Sequence, residues 1–583
     1  MLNCIKFLKW EIFLFFIFIL YRLPYLKFDT LNTDAPVWKQ RIFEFSSAFF
    51  SFNFRGTAVT YHPGVVLVLL GSMGVKFHTL LNKLFNIPRD LATVEGYTWL
   101  DFSQKLMIVI FLAFVLSVCL FLIKNIYGGK ISLLFFFLFT FEPFVLALTR
   151  VLHTDGLVTI LSFLAVLSAY YYIFKQTSYS TDIFQIKRYL WLVISGVATG
   201  WALLTKSNSL FLLGFVGLEF FVLSLSQFLQ NRSKIFLIIL SLFKDYFLWL
   251  LIVVSTFFLF WPAMWVSPVD TLDIYIKGIT NIGFEEHWQG WFGVEVNDPG
   301  GLFYPVILLI RFTPWFVILC LAGILSFFYS ILKYKKVELL QLTSLLYIVL
   351  YILILSIPEK KLSRYVLPTI PFLALFGVYY LDRVVNFILK WNSNKGSLSS
   401  FWHKIKLNVI KSDKYARIAD SFRSNIYYIL SIIFLFLSIL STWKFVPEYL
   451  MYYSPLVFGY DGGKNIEEPQ WPLGYRKLAL IFNEIPYPEE RRVFVRYGYL
   501  FNPLYIGPVG SMHQDTEKDF GAYFALEKYS DWRYLKGKGV ELTNIVKLGD
   551  TDYFWIYKIL GNYNVTKEYD FYFPTGLRID PRF

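Results

Sequence analysis

A chain of 583 residues that is 56% hydrophobic, 21% aromatic and only 16% charged is too poor in charge for a soluble domain, where about a quarter of residues are charged. Its net charge of +14 does not mark a nucleic-acid binder, because the Lys and Arg residues stand between apolar runs, where they orient helices and meet anionic headgroups. Cys4, Cys119 and Cys320 lie in or beside apolar segments, which excludes a disulfide framework and a cysteine-rich metal site.

In chain order, Lys6 and Lys9 precede the apolar run 12–20, and Tyr21, Arg22, Leu23 and Pro24 follow instead of a small-residue cleavage site. The segment is predicted to be an uncleaved first membrane helix. Further spans of the ~20-residue length a bilayer requires are predicted near 103–124, 130–148, 156–174, 189–205, 208–228, 240–261, 303–328, 337–357, 366–385 and 424–443. With the first, near 10–24, they make about eleven transmembrane helices. Lys124, Lys130, Lys175, Lys187, Arg188, Arg232, Lys234, Lys244, Lys333, Lys335, Lys336 and the basic stretch 386–423 then all fall on the side of Lys6 and Lys9. The positive-inside bias makes that side cytoplasmic, with the N-terminus inside and the C-terminal segment outside.

The loops on the opposite side are informative. The first, 25–102, contains an amphipathic pattern at Val37, Trp38, Ile42, Phe43, Phe45 and Phe49, predicting a surface-lying helix over 36–50. The apolar run 64–75 is short and Gly-interrupted, and is expected to be interfacial, since a further span there would invert every later loop. The second loop is the tight 150–155 connection. The third, 262–302, carries Trp265, Trp288 and Trp291, suited to an interfacial belt; the fourth is 358–365. From about residue 444 the composition turns to ordinary soluble character. A helix over 473–485, a strand over 492–497 and a hairpin of 542–548 with 552–559 across Gly549-Asp550-Thr551 are predicted. Residues 1–443 are thus expected to form a transmembrane domain and 444–583 a small α+β extracytoplasmic domain.

Ionisable groups at membrane depth cost about 2.5–3.5 kcal/mol each on insertion scales, so they call for a reason. Asp34 follows the first span, and Asp155, in Arg150-Val-Leu-His153-Thr-Asp155, opens a later one on the same face. Two such carboxylates suit a base and an orienting or metal-binding group; the competing reading of Asp155 is a helix cap. Lys206 ends an outward-going helix on the side where a cation is disfavoured, and Glu359-Lys360-Lys361-Leu-Ser-Arg364-Tyr365 sets three more there. A lipid phosphate is the anion that such a cluster would meet at that depth; the alternative is cations snorkelling to headgroups. Glu142 is expected to pair with Arg150 across one helix face. His62, His153, Glu286 and His287 are candidate substrate or loop contacts, and His62 with Glu285-Glu286-His287 supplies metal-ligand residue types without a diagnostic spacing. A divalent metal therefore stays open, and no other cofactor is indicated. Asn564-Val565-Thr566 matches a glycosylation sequon. Walker, dinucleotide and nucleophile-elbow motifs are absent.

Over most of 20–385 the chain resembles glycosyltransferase family 39, the dolichyl-phosphate-mannose protein mannosyltransferases, with the type-C glycosyltransferase fold. The resemblance rests on Asp34, the Tyr61-His62-Pro63-Gly64 block, Arg150 to Asp155, Gly196 to Lys206, and Lys361-Leu-Ser-Arg364-Tyr365-Val-Leu-Pro368. Residues 452–475 are similar to prokaryotic members with an outer C-terminal domain. One departure concerns acceptor identity: those mannosyltransferases carry an Asp-Glu pair where Asp34 here is followed by Ala35. The resemblance implies Asp34 as catalytic base, Asp155 as a second essential acid, and Lys206, Lys361 and Arg364, with Arg150, as contacts to the donor phosphate. It also implies inverting transfer of a sugar from a polyprenyl-phosphate donor to a protein, lipid or envelope-glycan acceptor. Two other classes compete: a transporter or flippase of a lipid-linked solute, and an inactive membrane scaffold. Transporters gather polar groups at the bilayer centre, whereas these stand at the outer face.

Overall fold

The computed structural model of the chain describes residues 9–29, 32–60, 63–176, 182–230, 235–283, 287–394, 412–469, 471–511, 521–527 and 539–560. His62, Glu286 and the sequon 564–566 lie outside them. The chain divides into two compact units, Met1–Arg89 with Trp99–Trp471, and Asp90–Thr98 with Pro472–Phe583.

The first unit is helical, as lipid demands of a backbone that cannot hydrogen-bond to water. In chain order, besides the short helices Ala263–Val266 and Gly459–Ile466, its helices are α1 (Lys9–Arg22), α2 (Ala35–Phe50), α3 (Val65–Phe85), α4 (Val94–Tyr127, entering at Trp99), α5 (Gly129–Thr140), α6 (Pro143–Leu148), α7 (Asp155–Gln176), α8 (Asp182–Thr205), α9 (Phe211–Gln230), α10 (Ile235–Phe260), α11 (Pro268–Gly283), α12 (Phe303–Ile310), α13 (Pro314–Tyr334), α14 (Leu339–Leu355), α15 (Ile370–Asn394) and α16 (Ser412–Thr442). Among the described residues, eight helical segments are long and apolar enough to cross a membrane. The chain is an integral, multi-pass membrane protein. The α7 span is 94% buried and the α10 span 22%, so α7 is the central post, whereas α10 turns Phe243, Phe247, Leu251 and Val254 outward as a lipid-facing helix does.

Contacts along α4 define the two ends of this unit. Lys27, just past α1, lies 4.2 Å from the Trp99 ring at one end, and Lys124 donates to Glu11 over 2.9 Å at the other. We call these the near and far ends. The helix predicted over 36–50 is present as Ala35–Phe50. The 64–75 run is part of a longer helix, α3, whose 21 residues suffice in length and composition for a span. Its Gly64, at φ 51°, starts against the Trp38 indole, where the left-handed backbone and the missing side chain both favour glycine. Its Gly74 packs on the backbone of Gln104, in the near third of α4, so its packing is with the near end.

Two predicted spans are broken. The 130–148 run divides into α5 and α6 ahead of Pro143, and 303–328 into α12 and α13 ahead of Pro314, where proline cannot continue the preceding hydrogen-bond ladder. The Glu142 carboxylate ties the breaks together, accepting from Thr313 N (2.5 Å) and Thr313 Oγ1 (2.8 Å). The expected Glu142–Arg150 pair is therefore absent: α6 stops at Leu148, so the two residues share no helix face. Arg150 bonds instead to Asp29 Oδ2 (2.5 Å) and Pro24 O (2.7 Å).

Composition changes near residue 444, while the contact division falls after Trp471. The intervening segment belongs to the first unit because Arg311 reaches into it, donating to Glu467 Oε2 (2.8 Å) and Leu450 O (2.9 Å). The loop 262–302 holds α11 and a hairpin of β1 (Gln289–Trp291) and β2 (Val294–Val296).

The second unit is a small α+β domain. Its strands β3 (Val493–Val495), β4 (Val509–Ser511), β5 (Tyr523–Leu526), β6 (Val540–Leu548) and β7 (Thr551–Ile559) stand in the order β4-β3-β5-β7-β6. The β3 strand runs parallel to β4 and β5, and β7 antiparallel to β5 and β6. Phe494, Phe524, Leu526 and Tyr557 fill its core, and α17 (Tyr475–Asn483) buries Tyr475, Leu478, Ala479 and Phe482.

Candidate active site

Four segments of the first unit bring charge together at the near end. Asp34 stands one residue before α2, at the cap position, yet its carboxylate makes no cap bond. The Asn32 side chain accepts from its backbone N–H at 3.0 Å, fixing the turn so that the carboxylate is left for other partners. Asp155 is the first residue of α7 and is 2% exposed. The following Gly156 allows this approach: a Cβ there would lie 2.7 Å from Leu148 O. Lys206 sits in the extended break after α8, while Asn208, two residues on, donates to the Tyr351 hydroxyl at 2.7 Å and anchors that break to α14. Arg364 lies in the 3-10 turn Ser363–Thr369 that leads into α15.

The two acids share their cations. Asp155 takes Lys206 Nζ on Oδ1 at 2.5 Å, and on Oδ2 it faces His153 Nδ1 at 2.8 Å and Arg364 Nε at 3.3 Å. The other nitrogen of the same imidazole lies 3.2 Å from Asp34 Oδ2, and Arg364 Nη2 lies 3.8 Å from that oxygen. His153 and Arg364 thus both bridge the carboxylates. Trp471 closes one side, edge-on to the His153 ring at 5.1 Å and stacked under the Arg364 guanidinium at 4.6 Å. Tyr365 places its ring 4.1 Å from Lys206 Nζ.

Exposure separates the roles. The Asp155 side chain is buried, whereas that of Asp34 is 40% exposed, so Asp34 is the more accessible of the two acids. Desolvation raises the Asp34 carboxyl, but the hydrogen bond and charge of His153, followed by the charge of Arg364, outweigh it and hold the group below the usual carboxylate range. It is ionised at neutral pH. Asp155, held against three basic side chains, orients them. The cap reading of Asp155 is not what its carboxylate contacts display.

Other residues singled out in the sequence lie elsewhere. Arg150, fully buried, belongs to the Asp29 pair. Lys361 is also fully buried, donating to Asp298 Oδ1 at 2.6 Å and Pro358 O at 2.7 Å. Asn297 donates to Glu359 beside it at 2.9 Å and accepts from the His287 backbone at 2.8 Å, so Lys361 and Asn297 fasten the 262–302 loop to the 358–365 loop, and the His287 backbone ties Asn297 within the first of them. Among the described residues, no group of three or more His, Cys, Asp or Glu side chains is arranged to hold a metal ion. Sequence reasoning missed Trp471 as a site residue, together with Asp29 and Asp298 as partners that occupy Arg150 and Lys361. A lone Trp before Pro472 and two loop Asp residues carry no periodic or spacing signal.

No family model matches the chain, and no curated protein matches it. Among solved structures, it is similar to ArnT from Cupriavidus metallidurans bound to undecaprenyl phosphate, at 13% identity and a TM-score of 0.46, over 95% of this chain and 98% of that one. It is also similar to the oligosaccharyltransferase AglB from Archaeoglobus fulgidus in complex with an inhibitory peptide and a dolichol-phosphate. That likeness has 12% identity and a TM-score of 0.43, over 86% of this chain and 64% of that one. At such values these likenesses carry no argument about chemistry, which rests on the side chains themselves.

Proposed function

We propose that the protein is a membrane glycosyltransferase of the type-C fold. It would move a sugar from a polyprenyl-phosphate donor to a hydroxyl of a protein, lipid or envelope-glycan acceptor, at the extracytoplasmic face. The carrying observation is the near-end cluster in which Asp34 and Asp155 share His153 and Arg364 while Lys206 neutralises Asp155. Buried charges at membrane depth are expensive, so a cluster that leaves one of its acids partly exposed points to a function that retains it.

In this reading the partly exposed Asp34 carboxylate takes the proton of the acceptor hydroxyl as its oxygen attacks the sugar's anomeric carbon. The bond from that carbon to the phosphate oxygen breaks, and the polyprenyl phosphate leaves with the electron pair. Lys206 and Arg364, preorganised by Asp155, stabilise the negative charge that develops on the phosphate. Attack opposite the leaving group inverts the anomeric centre. Placing the near end outside follows from the far end's basic residues, such as Lys124, Arg188 and Arg383, which the positive-inside bias assigns to the cytoplasm. The N-terminus is then cytoplasmic and residues 444–583 extracytoplasmic.

The test is release and transfer of labelled sugar from a panel of polyprenyl-phosphate donors by the purified chain in nanodiscs, with product mass as readout. Turnover that Asp34→Asn abolishes supports the reading. Lipid binding without turnover by either protein supports a flippase or scaffold instead.

A further inference from the structure

The helix α11, within the 262–302 loop, buries little of itself, and its residues fall into three stripes at helical spacing. Thr271, Tyr275 and Gly278 face the protein. The Tyr275 ring packs on those of Phe257 and Trp261 at the end of α10, with centroids 5.8 Å and 6.4 Å away. Asp270, Asp273 and Lys277 form a second stripe, polar and exposed. The third is apolar and just as bare: Val269, Leu272 and Ile276 are 78%, 38% and 57% exposed.

Contiguous apolar surface left open in this way marks a place where something other than water sits. One face on protein, one apolar and one charged is the division of a helix that lies in the plane of a membrane interface. The surroundings say what covers the apolar stripe. The lipid-facing α10 exposes Phe258 and Leu259 in its last turn. Trp265, in the short helix that follows, donates its indole N–H to Phe258 O at 2.9 Å and remains 41% exposed, as suits a side chain at headgroup level. It stands one helical turn before Val269. The lipid-facing surface of α10 therefore leads through Trp265 onto α11. Charge does not supply the attraction: Asp270 pairs with Arg55 at 2.9 Å and Asp273 with Lys277 at 2.6 Å, so the polar stripe is balanced.

We propose that α11 is an interfacial helix whose Val269, Leu272 and Ile276 stripe enters the hydrocarbon edge of the near-end leaflet and moors the 262–302 loop to lipid. Toward its other end the same loop is fastened by Asp298 to Lys361, three residues before Arg364. It is thus held by lipid on one side and beside the charge cluster on the other, whatever reaction that cluster performs. Because apolar area does the holding, the mooring is indifferent to the charge of the headgroups.

The experiment places a nitroxide label on α11 of the full chain in phosphatidylcholine nanodiscs. Cys4→Ser in the background leaves Cys119 and Cys320, both buried, as the native thiols. Labels at Leu272→Cys and Ile276→Cys should be relaxed more by oxygen, which concentrates in hydrocarbon, than by a water-soluble nickel chelate. Labels at Asp273→Cys and Lys277→Cys should show the reverse. Val269→Cys replaces either apolar position whose variant does not fold. Exchanging part of the lipid for phosphatidylglycerol should leave the pattern in place. An apolar stripe as open to the nickel chelate as Asp273→Cys lies in water and overturns the proposal. A stripe sheltered from both reagents overturns it too, since a second copy or another protein would then cover it. A pattern that requires phosphatidylglycerol would give the mooring to charge and overturn it as well.

Discussion

The first unit contains two kinds of buried charge, and they differ in closure. In the Lys39–Asp101–Lys105 group the three side chains are 6%, 4% and 1% exposed, and in the Arg150–Asp29 pair 0% and 3%. Each joins segments that are distant in the chain: α2 to α4, and the α6–α7 connection to the turn after α1. The cluster around Asp155 uses the same chemistry but leaves one carboxylate, Asp34, 40% exposed, and it borders a water-sized cavity through Arg364 and Trp471. A closed ion pair fastens the fold. An open one, with its acid ionised and its cations held beside it, is the arrangement that the proposed transfer would use.

This contrast can be broken by substitution. The largest effect is expected at the open acid: Asp34→Asn should lower sugar transfer by about 10²–10⁴-fold, the contribution of a general base, in a protein that still inserts and folds. Next, Arg150→Met in the closed pair leaves Asp29 buried and uncompensated and should cost roughly 3–5 kcal/mol of stability, read as a lower midpoint of thermal unfolding. Lys206→Gln should reduce turnover by about 10²-fold, as loss of a preorganised group does. Lys361→Gln should instead change proteolytic nicking of the 262–302 loop more than the chemistry; equal turnover losses in both variants would erase the distinction drawn between these lysines. The smallest effect concerns pH. His153 and Arg364 hold the Asp34 carboxyl below its usual range, so its contribution to stability is present above the ordinary carboxylate value of about 3.9 and is lost as pH falls through the lowered folded value. Arg364→Gln removes one of those cations, and the acid limb of the pH–rate profile should move upward.

Several features were legible in the residues alone because their causes are local. Lipid excludes charge, so long apolar runs announced a helical membrane protein, and the period of Trp38, Ile42 and Phe45 announced the helix Ala35–Phe50. Alternation around Gly549 announced the β6–β7 hairpin. Asp34, Asp155, Lys206 and Arg364 stood out because each is a charge where the membrane disfavours one. Hydropathy did not reveal the breaks before Pro143 and Pro314, since a broken helix stays as apolar as a continuous one.

Which charges meet was decided by packing alone. Arg150 finds Asp29 across 121 positions of sequence, and Lys361 finds Asp298 across 63, and nothing in the local pattern of either cation distinguishes it from Lys206, which finds Asp155. A side chain's type states what it needs, a counter-ion or a hydrogen bond. The helices that carry it determine which partner comes within the few ångströms where that need is met, and only the folded arrangement sets Trp471 and its neighbouring cavity against the acids.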